Sequence, residues 1–154
     1  MPDLRMPVLL LHVLSAFAYV AGYVATNVLT EMARRDDALA FRREALRFST
    51  RFDRLLNAPG GTLVGITGLA TMFAFGYSPL VPWVLAAIAL FLVVVGMGIF
   101  FWARVGGAVD RAMAAGDNET VTRVLRSTRN VAVSRFENVL VVVLIALMVL
   151  RPGS

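Results

Sequence analysis

The sequence predicts an all-α membrane protein, a four-transmembrane-helix bundle made of two antiparallel hairpins with cytoplasmic helical extensions. Three observations predict it. The 154 residues are 58% hydrophobic with a mean hydropathy of +0.75, above the roughly 45–50% apolar content of ordinary soluble domains. Four apolar stretches each approach the roughly 20 residues that a helix needs to cross an about 30 Å hydrocarbon core. The arginines, which supply all fifteen basic residues, gather in two of the segments between those stretches. Residues 1–154 read as a single transmembrane domain, multi-pass, with spans at about 8–30, 59–77, 81–103 and 130–150.

The first span, VLLLHVLSAFAYVAGYVATNVLT, organises the rest. At 100° per residue, His12, Ser15, Tyr19, Gly22, Tyr23, Thr26, Asn27 and Thr30 share one roughly 140° sector, while Leu9, Leu10, Leu14, Phe17, Val20, Val24 and Val28 lie outside it. A polar group facing hydrocarbon without a partner costs several kcal/mol, so this sector is expected to face other helices. The span is longer than a signal-peptide core and its positive charges, Arg34 and Arg35, lie behind it. It reads as a retained helix that enters with its N-terminus outside.

The segment after it reads as a basic amphipathic helix over 38–56. Phe41, Ala45, Phe48, Phe52, Leu55 and Leu56 cluster on one face and Arg43, Arg47, Arg51 and Arg54 on another, with Asp36 or Asp37 placed to cap its start. Such a helix either lies on an anionic inner leaflet or extends the second span into the cytoplasm, with Pro59 marking a bend. In the second span Gly61, Gly65 and Gly68 form a small-residue ridge suited to close helix packing.

Pro79 and Pro82 end the second span and open the third within a few residues, as expected of antiparallel neighbours. Trp83 and Trp102 stand at opposite ends of the third span, about 28 Å apart at 1.5 Å per residue, as membrane-interface markers do. The third span is expected to continue to about Ala115, break at Gly116-Asp117-Asn118, and return as a helix from Glu119 running into the fourth span.

Charge sets the orientation. Arg34, Arg35, Arg42, Arg43, Arg47, Arg51 and Arg54 lie between spans one and two, and Arg104, Arg111, Arg123, Arg126, Arg129 and Arg135 between spans three and four, against Arg5 and Arg151 elsewhere. The positive-inside rule places both long segments in the cytoplasm and both termini outside the cell membrane. A bilayer with an anionic inner leaflet is then the partner that the net charge of +5 implies, rather than nucleic acid. Other membrane subunits or a homodimer are further candidate partners. Exclusive arginine suggests a GC-rich bacterial source and removes every chemistry that needs a lysine amine.

The residues that could carry chemistry are few. No cysteine is present, so thiolate catalysis and Cys-based metal sites are excluded. His12 is the single histidine, which rules out a Ser-His-Asp or metalloprotease pattern built on two; no catalytic or metal constellation is expected. Its imidazole either hydrogen-bonds to a neighbouring helix or serves as an axial haem ligand, and bis-histidine ligation would need a homodimer. Tyr19, Tyr23, Thr26 and Asn27 either line a polar path or make interhelical hydrogen bonds. Arg135, Glu137 and Asn138 fall about 6–10 Å inside the inner boundary, where charges are expensive. Arg135 can snorkel to the headgroups, and Glu137 either pairs with a cytoplasmic arginine or relays protons.

LLLHVLSAFAYVAGY, with a histidine early in the first helix and a glycine ten residues on, resembles the bacterial four-helix family of predicted integral membrane proteins classed as a domain of unknown function. APGGTLVGITGLATMFAFGYSPLVPWVLAAIALFL, with Pro59, Gly68 and Trp83, is similar to the middle of that family, and the resemblance covers about residues 8–105. More distantly, the histidine-first plan resembles membrane haem-binding protoporphyrinogen oxidases and the copper-resistance membrane domain. The former resemblance implies haem b on His12, while the catalytic lysine of those oxidases has no counterpart here. The residues themselves point first to an accessory or interaction subunit without a cofactor, and second to a haem-binding redox protein.

Overall fold

The computed structural model describes residues 4–151; part of the polar N-terminal lead and the last three residues of the expected extracytoplasmic C-terminus lie outside the described residues. Four helices are long and apolar enough to cross a membrane, Arg5–Arg35, Leu39–Phe75, Pro82–Ala114 and Thr128–Leu150, and the elements among the described residues are all helical. The expected class is the observed one. In order, α1 is Arg5–Arg35, α2 Leu39–Phe52, α3 Ala58–Phe75, α4 Pro82–Gly96, α5 Ala103–Ala114, α6 Asn118–Leu125 and α7 Thr128–Leu150. Two π-helical stretches, Asp53–Asn57 and Met97–Trp102, join α2 to α3 and α4 to α5. The chain forms two compact units, Met1–Asp36 with Ala40–Val81 and Asp37–Leu39 with Pro82–Ser154.

In the first unit, α1 outlasts its expected span at both ends. Its 31 residues make about 46 Å of helix, some 16 Å more than the hydrocarbon core. The last turn carries Arg34 and Arg35, whose charge complements the negative end of the helix dipole. Both bind Glu31, Arg35 through Nε at 2.8 Å.

Of the two placements expected for the basic helix, the chain adopts the extension. α2 and α3 form one 37-residue helix that passes through Pro59 without stopping. A proline ring inside a helix crowds the carbonyl four residues back, here that of Leu55. The wider π turn just before it, in which the Ala58 N–H donates to the Asp53 carbonyl, relieves that crowding. α3 then ends at Gly76, whose φ of +72° only glycine adopts freely. The Tyr77 N–H returns to the Met72 carbonyl at 3.0 Å, and the rings of Phe75 and Tyr77 stack at 6.3 Å across the cap.

In the second unit, the break comes where the glycine predicts it. Gly116 has φ +70° and the Asp117 N–H bonds the Ala112 carbonyl at 2.9 Å, closing α5 as α3 is closed. Asp117 opens α6 by accepting from the Thr120 N–H at 2.9 Å. Val109, Ala112, Val121 and Leu125 are buried where α5 and α6 meet, so this hairpin has a small apolar core of its own.

One expectation is corrected here. The helix from Glu119 does not run into the fourth span; it stops at Leu125, and α7 starts at Thr128. Ser127 takes extended backbone at φ −55°, ψ 125°, and the Asn130 amide reaches back to the Val124 carbonyl at 2.8 Å. Serine, threonine and asparagine side chains compete for backbone groups in this way, and the Ser-Thr-Arg-Asn run outweighs the apolar periodicity on either side.

Candidate functional site

Within the first unit the polar sector of α1 faces α2 and α3. His12, Ser15, Tyr19, Gly22, Tyr23, Thr26, Asn27 and Thr30 are all buried or half-buried, whereas of the apolar set Leu10, Leu14, Phe17, Val24 and Val28 are exposed and Leu9 and Val20 half-buried. The rungs descend along α3 and α2 as they ascend along α1, as antiparallel helices require. Thr67 and Gly68 stand opposite His12, Gly60 and Gly61 opposite Tyr19, Asn57 opposite Gly22, and Ser49 opposite Thr26 and Thr30.

At the first rung, His12 Nδ1 lies 3.1 Å from Thr67 Oγ1. The Thr67 hydroxyl donates its one proton to the Leu63 carbonyl at 2.6 Å, so its oxygen is placed to accept from an imidazole that carries its proton on Nδ1. In that tautomer the lone pair lies on Nε2. The ring also sits against Gly68, where a β-carbon would come within 3.0 Å of Cε1. The small-residue ridge read from the sequence therefore receives the imidazole and the Tyr19 ring.

Below it the seam combines hydrogen bonds within α1 with contacts between helices. Ser15 donates to the Leu11 carbonyl at 2.7 Å and Asn27 to the Tyr23 carbonyl at 2.9 Å, both within α1. Tyr19 and Tyr23 set their rings 6.1 Å apart. Thr30 and Ser49 pair their hydroxyls at 3.4 Å, and the Ser49 hydroxyl also lies 3.4 Å from the Thr26 carbonyl.

Sequence reading passed over Arg42, which is the most buried charged side chain among the described residues, at 0% exposure. Its Nε donates to the carbonyls of Ala33 at 3.1 Å and Asp36 at 2.6 Å, satisfying orphan acceptors at the C-terminus of α1. The signal was present. Arg42, Ala45 and Ser49 follow the i, i+3, i+7 spacing of a packed face, and all three are buried. Of the face read as apolar, Ala45 is buried and Leu56 half-buried, while the large side chains of Phe41, Phe48, Phe52 and Leu55 are exposed. Arg43, Arg47, Arg51 and Arg54 are exposed as well.

In the second unit Glu137 on α7 is 7% exposed, and its Oε2 accepts from the Trp102 indole N–H at 2.5 Å. A tryptophan read as an interface marker thus takes the place of the expected arginine. A π turn carries more residues than an α turn and rotates whatever follows it around the helix axis, and Trp102 closes such a stretch. Its ring meets Phe101 edge-on at 4.9 Å, and the Arg129 guanidinium stands over Phe101 at 5.2 Å. Arg135 and Asn138 are exposed on α7. Among the described residues no group of three His, Cys, Asp or Glu side chains comes together as a metal site would need.

Neither a curated protein nor a solved structure matches this chain significantly. A family model does match residues 7–152, from the polar lead through all four membrane-spanning helices, and the chain accordingly belongs to the family described as "Predicted integral membrane protein (DUF2269)".

Proposed function

We propose that this chain is a non-catalytic accessory subunit of the cytoplasmic membrane, with both helical extensions in the cytoplasm and both termini outside. What supports this reading is how α1 and α2 divide their polar groups. His12 and Tyr19, which could bear chemistry, are engaged against α3, while Arg43, Arg47 and Arg51 on α2 and Arg54 on the π stretch after it are exposed. A seam of this kind closes a hairpin at about 1 kcal/mol per interhelical hydrogen bond. The basic face is electrostatically suited to an anionic inner leaflet, each arginine adding about 1 kcal/mol near such a surface.

One observation favours a second reading, haem b bound by His12. Thr67 Oγ1 lies 3.1 Å from Nδ1 and is placed to accept its proton; in that tautomer Nε2 is the nitrogen that can ligate a metal, with the other ring nitrogen held by an outer-shell partner. Bound haem would supply electron transfer; His12 would hold it and Thr67 would orient His12. The absorption spectrum of the purified protein separates the readings. The accessory reading expects no Soret band and nearly unchanged thermal stability in His12→Gln, within about 1 kcal/mol. A wild-type Soret band that disappears in His12→Gln, with stabilisation of the wild type by added haem, establishes the second reading instead.

A further inference from the structure

A groove of about 540 Å³ runs along α1 on the side away from its polar sector, from Phe17 to Leu29, and Phe52 of α2 also lines it. Its lining is apolar throughout, with the small side chains of Ala21 and Ala25 beside the larger Val24 and Val28. The twelve steps from Phe17 to Leu29 rise about 18 Å, slightly more than the half of an about 30 Å core that the acyl chains of one leaflet fill. The Leu29 end is the cytoplasmic end in the proposed orientation.

A cation stands next to the groove lining in the chain. Arg51 precedes the lining residue Phe52, and its guanidinium stands over the Phe48 ring at 5.5 Å, on the helix face that Phe48 and Phe52 share. Cation–π contact of this kind orients a guanidinium without neutralising it. Among the described residues neither Arg51 nor its neighbour Arg54 has an acidic partner, whereas Arg47 has Glu44 at 3.7 Å. A planar guanidinium with free donors matches phosphate oxygens.

We propose that this groove holds one acyl chain of an anionic phospholipid of the inner leaflet, with Arg51 binding the headgroup phosphate and Arg54 adding preference for a negative headgroup. The proposal rests on the basic-face reading above but is narrower. It assigns a single retained lipid to one groove, where the broader reading needs only a diffuse attraction.

The test uses the full-length protein purified in detergent, stripped of lipid and titrated separately with phosphatidylglycerol and phosphatidylcholine, with bound lipid counted by native mass spectrometry. The expected result is one retained phosphatidylglycerol and at least tenfold weaker retention of phosphatidylcholine. Arg51→Gln, a surface change, and Ala25→Phe, which fills the groove, should each lower phosphatidylglycerol retention at least tenfold, while Arg111→Gln on α5 leaves it unchanged. Thermal unfolding of each variant confirms that it is folded. Equal retention of the two lipids overturns the proposal together with the basic-face reading. Selective retention that survives both Arg51→Gln and Ala25→Phe overturns the groove alone and leaves the basic face standing.

Discussion

A β-carbon on Gly60 would lie 2.7 Å from the backbone nitrogen of Tyr19 and 2.9 Å from its Cα, so at this rung α3 touches the backbone of α1 and not a side chain that can turn aside. Gly22 meets the same constraint from the other helix, with a β-carbon 2.5 Å from the Asn57 nitrogen. These two positions set how close the hairpin can close.

A graded alanine series follows. Gly60→Ala and Gly22→Ala must push whole helices apart, and each should cost about 3 kcal/mol, the upper part of the usual overpacking range. Gly68→Ala meets the edge of the His12 ring at 3.0 Å and Gly61→Ala the Tyr19 ring at 3.3 Å; rings can shift, so losses near 1 kcal/mol are expected. Gly106→Ala on α5 meets nothing within 4 Å and should gain up to about 1 kcal/mol from helix propensity. Thermal unfolding in detergent reads the order, and an equal loss at Gly60 and Gly61 would contradict the packing described.

The Trp102–Glu137 pair predicts a non-additive result. Trp102→Phe leaves a buried carboxyl without its donor and should cost about 1–3 kcal/mol. Glu137→Gln keeps an acceptor for the indole and should cost less. Combining Trp102→Phe with Glu137→Leu removes both polar partners and should recover part of the single-variant loss. Additive losses in the double variant would show that the bond contributes nothing to stability.

Topology is tested by fusions. A reporter inserted between Gly116 and Asp117 should read as cytoplasmic, and one fused after Ser154 as extracytoplasmic, because the two arginine-rich segments lie on the same side. The opposite pair of readings would invert the orientation and remove α2 from the inner leaflet.

The turn at Asp117 predicts a pH dependence. Hydrogen bonds from Thr120, through its side chain first and then its backbone, hold the Asp117 carboxyl below its ordinary range. A carboxyl lowered on folding contributes stability that is complete above its ordinary pKa and is lost as pH falls through the lower folded value. Protection of the Thr120 amide against hydrogen exchange, corrected for intrinsic rate, should therefore fall only in strong acid. Asp117→Asn should retain protection at neutral pH without the acid step, and Asp117→Ala should lose it throughout.

Composition and periodicity were enough for the four spans, because length and apolarity are local properties that a bilayer reads directly. The polar sector of α1 was legible for the same reason: 100° per residue places His12, Tyr19 and Tyr23 on one side whatever packs there. So was the break at Gly116, where positive φ favours glycine, whereas the cap at Gly76 was not read. Three things were settled only by the tertiary structure. Pro59 marked a bend but not the π turn that accommodates it, and no residue pattern marks the π turn that ends at Trp102. Burial of Arg42 requires the end of α1 to present its bare carbonyls beside α2, a relation between segments with no period of its own. The partner of Glu137 could not be read from charge, since a buried carboxyl accepts from any well-placed N–H, and the rotation of the helix beyond Gly96 selected an indole in place of a guanidinium.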